Sequence, residues 1–220
     1  MTKHYKHPRT YHLPFSGGAT DDDKTLSEQE LEDSLLAESE VVVLLKLDGE
    51  NFNGYRDGCH ARSIDSRHHA SRDWAKRRWN EVKHNLPEGW KVSAENMRAV
   101  HTIEYSDLPS YLMVFAIWDE NRNCLGFDRT LEWCELLGLH HVPILYKGPY
   151  DLERLRAIAN ELDPEKQEGF VVRVSSDFHY DDFSTCVAKY VCPEFREKLE
   201  DTDEHWMYKE IVPNKLRENT

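Results

Sequence analysis

The sequence predicts a mixed α+β domain built on antiparallel sheets. Seven runs of strand length are rich in β-branched and aromatic residues, about four segments carry helical spacing, and the two kinds do not alternate as βαβ units would. A chain of 220 residues, 39% hydrophobic with six Trp, eight Phe and ten Tyr, has the size and composition of one globular domain.

Residues 1–23 read as a loop-rich arm, with Pro8, Pro14 and Gly17-Gly18 as turn signals. Residues 24–220 read as the domain itself, with no separate C-terminal OB or helical domain. An acidic helix is expected over Leu26–Leu36, where Ser27 and Glu30 have capping-box spacing. Glu40–Leu47 is an apolar strand ending at the turn Asp48-Gly49. Further strands are expected at Cys59–Ile64, Lys91–Glu95, Tyr111–Trp118, Val142–Tyr146, Gly169–Val174 and Cys186–Val191. Helices are expected at Ser71–Lys83 with Ser71 as N-cap, at Thr130–Leu137 stopped by Gly138, and at Leu152–Leu162. From Pro193 onward the chain reads as charged and irregular.

The charge balance, 28 basic against 41 acidic side chains, gives a net −13, which is unusual for a nucleic-acid partner. Positive charge is concentrated at Arg67–Arg78, where Arg67, Arg72, Lys76, Arg77 and Arg78 fall close together. A helix there either contacts a nucleic-acid phosphate backbone, with Arg72, Lys76 and Arg77 as candidates, or is a solvated face. Five cysteines without a CxxC pair argue against a disulfide framework or a Cys-rich zinc site. No apolar run approaches the roughly 20 residues a membrane span needs, and no apolar segment follows the basic N-terminus, so the expected location is cytoplasmic.

The chemistry concentrates at Lys46-Leu47-Asp48-Gly49. A lysine at the end of an apolar strand is a candidate nucleophile, because desolvation favours its neutral amine. The tetrapeptide alone also fits an ordinary lysine before a β-turn. Ordered motifs follow it: His60-Ala61-Arg62-Ser63, Ser93-Ala94-Glu95-Asn96, Leu112–Asp119, Glu168-Gly169-Phe170-Val171-Val172-Arg173 and Val187-Ala188-Lys189-Tyr190-Val191.

Together these resemble the covalent nucleotidyltransferases, the ATP-dependent ligases and capping enzymes. The likeness is closest to RNA ligases of the phage RNA ligase 2 type. Arg9–Pro14, His101-Thr102-Ile103-Glu104-Tyr105 and Thr202–Trp206 extend it along most of the chain. It implies the nucleotidyltransferase (ATP-grasp-like DNA/RNA ligase adenylation) fold, with two antiparallel sheets flanked by helices and ATP in the cleft. It also implies that Lys46 becomes adenylylated, that Arg62 and Glu95 hold the ribose, and that Phe115 stacks on adenine. Glu168 would bind Mg²⁺ or Mn²⁺ beside Lys46, and Lys189 would neutralise the α-phosphate. The implied partner is RNA with 5′-phosphate and 3′-hydroxyl ends, with room for a protein that replaces the C-terminal domain of the phage enzyme. Three positions depart from the family pattern: Ala94 stands where Gly is usual, Lys189 is the lone base of its motif, and Cys192 replaces a common Arg. A DNA ligase or other polynucleotide adenylyltransferase, or a non-catalytic nucleotide-binding module, fits the same motifs.

Overall fold

In the computed structural model, which describes residues 3–37, 39–200 and 210–218, the architecture is α+β with two sheets. The first sheet is ordered β1-β12-β10-β2-β9, from β1 (Tyr11–His12), β12 (Val187–Val191), β10 (Gly169–Val174), β2 (Glu40–Lys46) and β9 (Ile144–Pro149). The second is ordered β11-β7-β6-β5-β3-β4, with β8 also paired to β6. Its strands are β3 (Glu50–Tyr55), β4 (Gly58–His60), β5 (Lys91–Asn96), β6 (Leu112–Trp118), β7 (Asn123–Cys124), β8 (His140–His141) and β11 (Phe178–His179). Pairing is antiparallel except at β1–β12 and β6–β8.

The helices are α1 (Glu28–Glu32), α2 (Asp73–Val82), α3 (Phe127–Leu137), α4 (Leu152–Glu161), α5 (Phe183–Cys186) and α6 (Pro193–Glu200). The Ser27–Glu30 capping box forms, but α1 closes after five residues. Ser71 is not the N-cap of α2. It sits in a 3₁₀ turn, Ala70–Arg72, that His69 caps. Gly138 ends α3 in the left-handed conformation. The arm is not free of the domain, because β1 pairs in register with β12, His12 opposite Lys189. Nor is the chain after Pro193 all irregular, since α6 forms there and buries Phe195. Thr202–Trp206 lies outside the described residues. Among the described residues no helix is long and apolar enough to cross a membrane.

Each sheet has its own apolar cover. The first packs Val41, Val43, Phe170 and Val172 with Leu155 and Ile158 of α4. The second packs Phe52, Val92, Ala94 and Val114 with Ala75, Trp79 and Val82 of α2. A third cluster, including Val42, Leu44, Met97 and Met113, joins the two sheets.

Lys91 is an exception inside this apolar frame. It is fully buried, and its Nζ lies 3.8 Å from the Tyr5 ring centroid and 4.8 Å from that of Trp118. It has no hydrogen-bond partner among the described residues. Burial brings its pKa down to about 7. Between pH 7 and the ordinary lysine value the unfolded chain binds the extra proton, so this group makes stability rise with pH across that window and leaves it level below. The difference corresponds to roughly 5 kcal/mol, offset by cation–π attraction worth about 2 kcal/mol when desolvated. Lys91→Met is therefore expected to stabilise the fold at pH 7 by about 1–3 kcal/mol. It should also flatten the pH dependence of the urea midpoint between pH 7 and 10, as parallel titrations of both proteins would show.

Candidate active site

Both sheets contribute to one cleft of about 910 Å³, within the size range of small-molecule sites. Lys46, Arg62, Glu95, Phe115 and Lys189 all line it, although they come from segments up to 143 residues apart in the chain, Lys46 to Lys189.

Lys46 closes β2 and pairs in register with Gly169 of β10. A Cβ at Gly169 would lie 2.0 Å from the Tyr190 carbonyl oxygen, so only glycine lets β10 run this close to β12. That approach sets Glu168 beside Lys46, with Nζ donating to Oε1 at 2.6 Å. The next turn is equally tight: a Cβ at Gly49 would meet Met97 Sδ at 2.7 Å and the Asn96 carbonyl oxygen at 2.8 Å. Asp48 is buried, and its Oδ2 accepts from the Thr102 and Ile103 amides at 2.7 and 2.9 Å. Tyr105 Oη accepts from the Asp48 amide at 3.0 Å. The His101–Tyr105 motif thus clamps the loop that follows Lys46.

The charge state of Lys46 differs from the sequence expectation. Burial pushes its pKa down, but Glu168, Glu95 and Asp48 together push it up, and the carboxylates prevail. Beside these carboxylates Lys46 is held as an ammonium. The same burial raises Glu95 to about 8, against the pull of Lys46, and raises Glu168 as well.

The other side chains take their places from the strands. Glu95 on β5 and Met113 on β6 are opposite one another. Ala94 is fully buried with Trp79 and Phe52 under α2, so this departure from the family pattern points away from the cleft. Phe115 is half-buried between two core clusters, with the His7 ring edge-on at 5.1 Å. Val171, also in the cleft lining, is opposite Lys189 across β10–β12. Arg62 is exposed on a loop held by Asn53 Nδ2 donating to the Ala61 carbonyl and by the Ala61 amide donating to Ser66 Oγ. Lys189 has its pKa lowered by burial and by the neighbouring Lys46. Cys192 is buried with Ile103 and Phe195.

The three RNA-contact candidates separate. Arg72 is not a surface cation: its side chain is 11% exposed, and Nε lies 2.9 Å from both carboxylate oxygens of Glu50. It also donates to the Arg67 carbonyl. Lys76 is half-buried and Arg77 exposed. Residues to which sequence reasoning gave no role also reach the cleft, notably Arg9, Asp23, Asn51 and His101. Asp48 stood in the first motif without an assigned role. Arg9, Asp23 and His101 are brought in by loops or by the short β1 pairing, and Asn51 by its place on β3 opposite Glu95.

The RNA ligase family model matches residues 39–191. The chain belongs to the RNA ligase family. Among solved structures, this family member is similar to a Naegleria gruberi RNA ligase variant determined with ATP and Mn, with TM-score 0.59 and 18% identity over 88% of this chain and 62% of that one. An apo variant of the same ligase gives TM-score 0.58 and 19% identity over 79% of this chain and 55% of that one. A putative ATP-dependent DNA ligase from Aquifex aeolicus gives TM-score 0.55 and 19% identity over 85% of this chain and 50% of that one. The family member thus spans between half and about three-fifths of these proteins' lengths, and at such identities the likeness shows the nucleotidyltransferase fold. Comparison with curated protein sequences returned no match.

Proposed function

We propose that this RNA ligase family member is an ATP-dependent RNA ligase that works through AMP carried on Lys46. The observation that supports this most is the contact of Lys46 with Glu168 at 2.6 Å in a cleft that also gathers Glu95, Phe115, Arg62 and Lys189. In this reading the Lys46 amine attacks the α-phosphorus of ATP, the bond to the β-phosphate oxygen breaks, and pyrophosphate leaves. An oxygen of an RNA 5′-phosphate then attacks the AMP phosphorus and returns the lysine. A 3′-hydroxyl finally attacks the 5′-phosphorus and releases AMP.

Lys46 must first lose its proton, and Glu168 is the carboxylate in contact to receive it. Lys189 is placed to offset charge developing on the α-phosphate, as electrostatic stabilisation in a dry site requires. Glu95 and Arg62 would hold the ribose. Among the described residues no group of three or more His, Cys, Asp or Glu side chains is arranged as a ready metal site. The Glu168 carboxylate beside Lys46 nevertheless fits Mg²⁺ or Mn²⁺, which commonly use one or two carboxylates and complete their shell with phosphate oxygens. Such an ion supplies positive charge that neutralises the carboxylates holding Lys46 protonated. Exposed Arg77 and half-buried Lys76 of α2 remain our candidates for RNA contact.

The test is to incubate the protein with α-labelled ATP or GTP and a divalent ion, then separate it under denaturing conditions. Label from ATP that survives alkali and is released by acid, as a P–N bond requires, supports the reading. Chase with 5′-phosphorylated RNA or DNA then decides the nucleic acid. A protein that binds ATP but never becomes labelled is a nucleotide-binding module instead.

Phe115 gives a separate expectation. Its loss should weaken ATP by about 1–3 kcal/mol of stacking, read as a rise in the ATP concentration for half-maximal labelling. Phe115→Leu, which keeps the packing against the core, separates stacking from stability. Unchanged ATP dependence in both Phe115→Ala and Phe115→Leu would place the adenine elsewhere.

A further inference from the structure

Beside Lys46 and Lys189, the cleft lining holds another cation, Arg9, from a part of the chain that lies outside the family match. Arg9 is two residues ahead of β1, and β1 pairs with the strand that carries Lys189. The side chain of Arg9 donates to the Asp22 carbonyl and lies 3.2 Å from Asp23 Oδ1. The same oxygen lies 3.8 Å from Lys189 Nζ. Asp23 is itself fixed from behind, since its Oδ2 accepts from the Thr20 amide and hydroxyl at 3.3 and 3.0 Å and faces His12 Nε2 at 3.5 Å. One carboxylate oxygen is therefore shared by two cations that face the cavity containing Lys46.

We infer that Arg9, positioned by Asp23, is a phosphate-binding residue of this active site and acts together with Lys189. This rests on the ligase reading above and supplies the second base that the Lys189 motif lacks. A guanidinium suits the task, because its planar fork meets two phosphate oxygens at once. Its side chain is about half exposed at 52%, so it can turn to an incoming anion without unpacking the core. His12 adds no charge: burial and Lys189 lower its pKa to about 4. The anion itself is a phosphate from one of two sources, the β,γ-phosphates of ATP or the 5′-phosphate of the RNA.

The experiment uses two probes on the unmodified full chain, inorganic pyrophosphate and a 5′-phosphorylated oligoribonucleotide, titrated calorimetrically into wild type, Arg9→Ala and Arg9→Lys. Arg9→Ala should weaken at least one probe about tenfold, Arg9→Lys should recover part of that loss, and the thermal midpoint should stay that of wild type. Loss confined to pyrophosphate assigns Arg9 to the ATP tail, and loss confined to the oligonucleotide assigns it to the RNA end. Unchanged affinity for both probes overturns the inference. So does weakened binding that tracks a lowered thermal midpoint and is not rescued by lysine. Absence of covalent AMP in the wild type would instead count against the ligase reading, which these titrations do not require.

Discussion

Lys46→Ala is expected to leave no covalent AMP on the protein, a fall on the order of 10⁴-fold or more, because removing a nucleophile takes away the covalent route itself. Labelling with α-labelled ATP followed by denaturing electrophoresis reads this directly. Lys46→Arg should be equally inactive, since a guanidinium stays protonated at any working pH and cannot attack phosphorus. The arginine variant keeps a cation beside Glu168, so it separates charge pairing from nucleophilicity. Both variants should fold. Lys46 is at a strand end with 28% of its side chain exposed, and Glu168 without its partner can take a proton, its pKa being already raised by burial. Label retained in Lys46→Ala would remove this lysine from the mechanism.

The nearness of Lys46 to Glu168 was legible in the ordered motifs, whereas the protonation state of the lysine was not. The Glu40–Leu47 run marks a buried strand and Asp48-Gly49 its end, and the family resemblance that the ordered motifs carry implies that Glu168 is near Lys46. What sequence spacing does not carry is the sum of charges around Nζ. Burial alone argues for a neutral amine, but Glu95 and Glu168 arrive from two different sheets and reverse the sign.

The second sheet was less legible for a related reason. Strand β3, Glu-Asn-Phe-Asn-Gly-Tyr, is polar and contains glycine, against ordinary strand preference. It is held by full pairing to β5 from Glu50–Asn96 to Tyr55–Lys91, a long-range fact. Likewise β1 is only two residues long and exists because β12 offers it an edge. Helix α2 was visible as a basic segment after Ser71, but the roles of the arginines on it and just before it were not. Arg72 is paired with Glu50, 22 residues away.

That pair yields the largest expected stability effect. Both side chains are 11% exposed, so Arg72→Ala strands a buried carboxylate and is expected to destabilise the fold by about 3–5 kcal/mol. The loss is one of strand position as well as charge, since Glu50 begins β3 one residue after Gly49 and lines the cleft. Denaturant titration of Arg72→Ala, Glu50→Gln and the double variant measures it. The double variant should recover a good part of the loss, with a coupling energy of about 0.5–3 kcal/mol, because the effects of touching residues do not add. Adenylylation should fall in Arg72→Ala in step with the folded fraction. An RNA-binding arginine predicts a different pattern: unchanged stability, unchanged labelling, and a salt dependence of RNA binding flattened by about 0.7 for each single-strand phosphate that is no longer neutralised. That second pattern is the one expected of Arg77→Ala combined with Lys76→Ala on α2. If Arg72→Ala showed it instead, the pairing with Glu50 would be incidental and the whole helix, Arg72 included, would belong to the RNA surface.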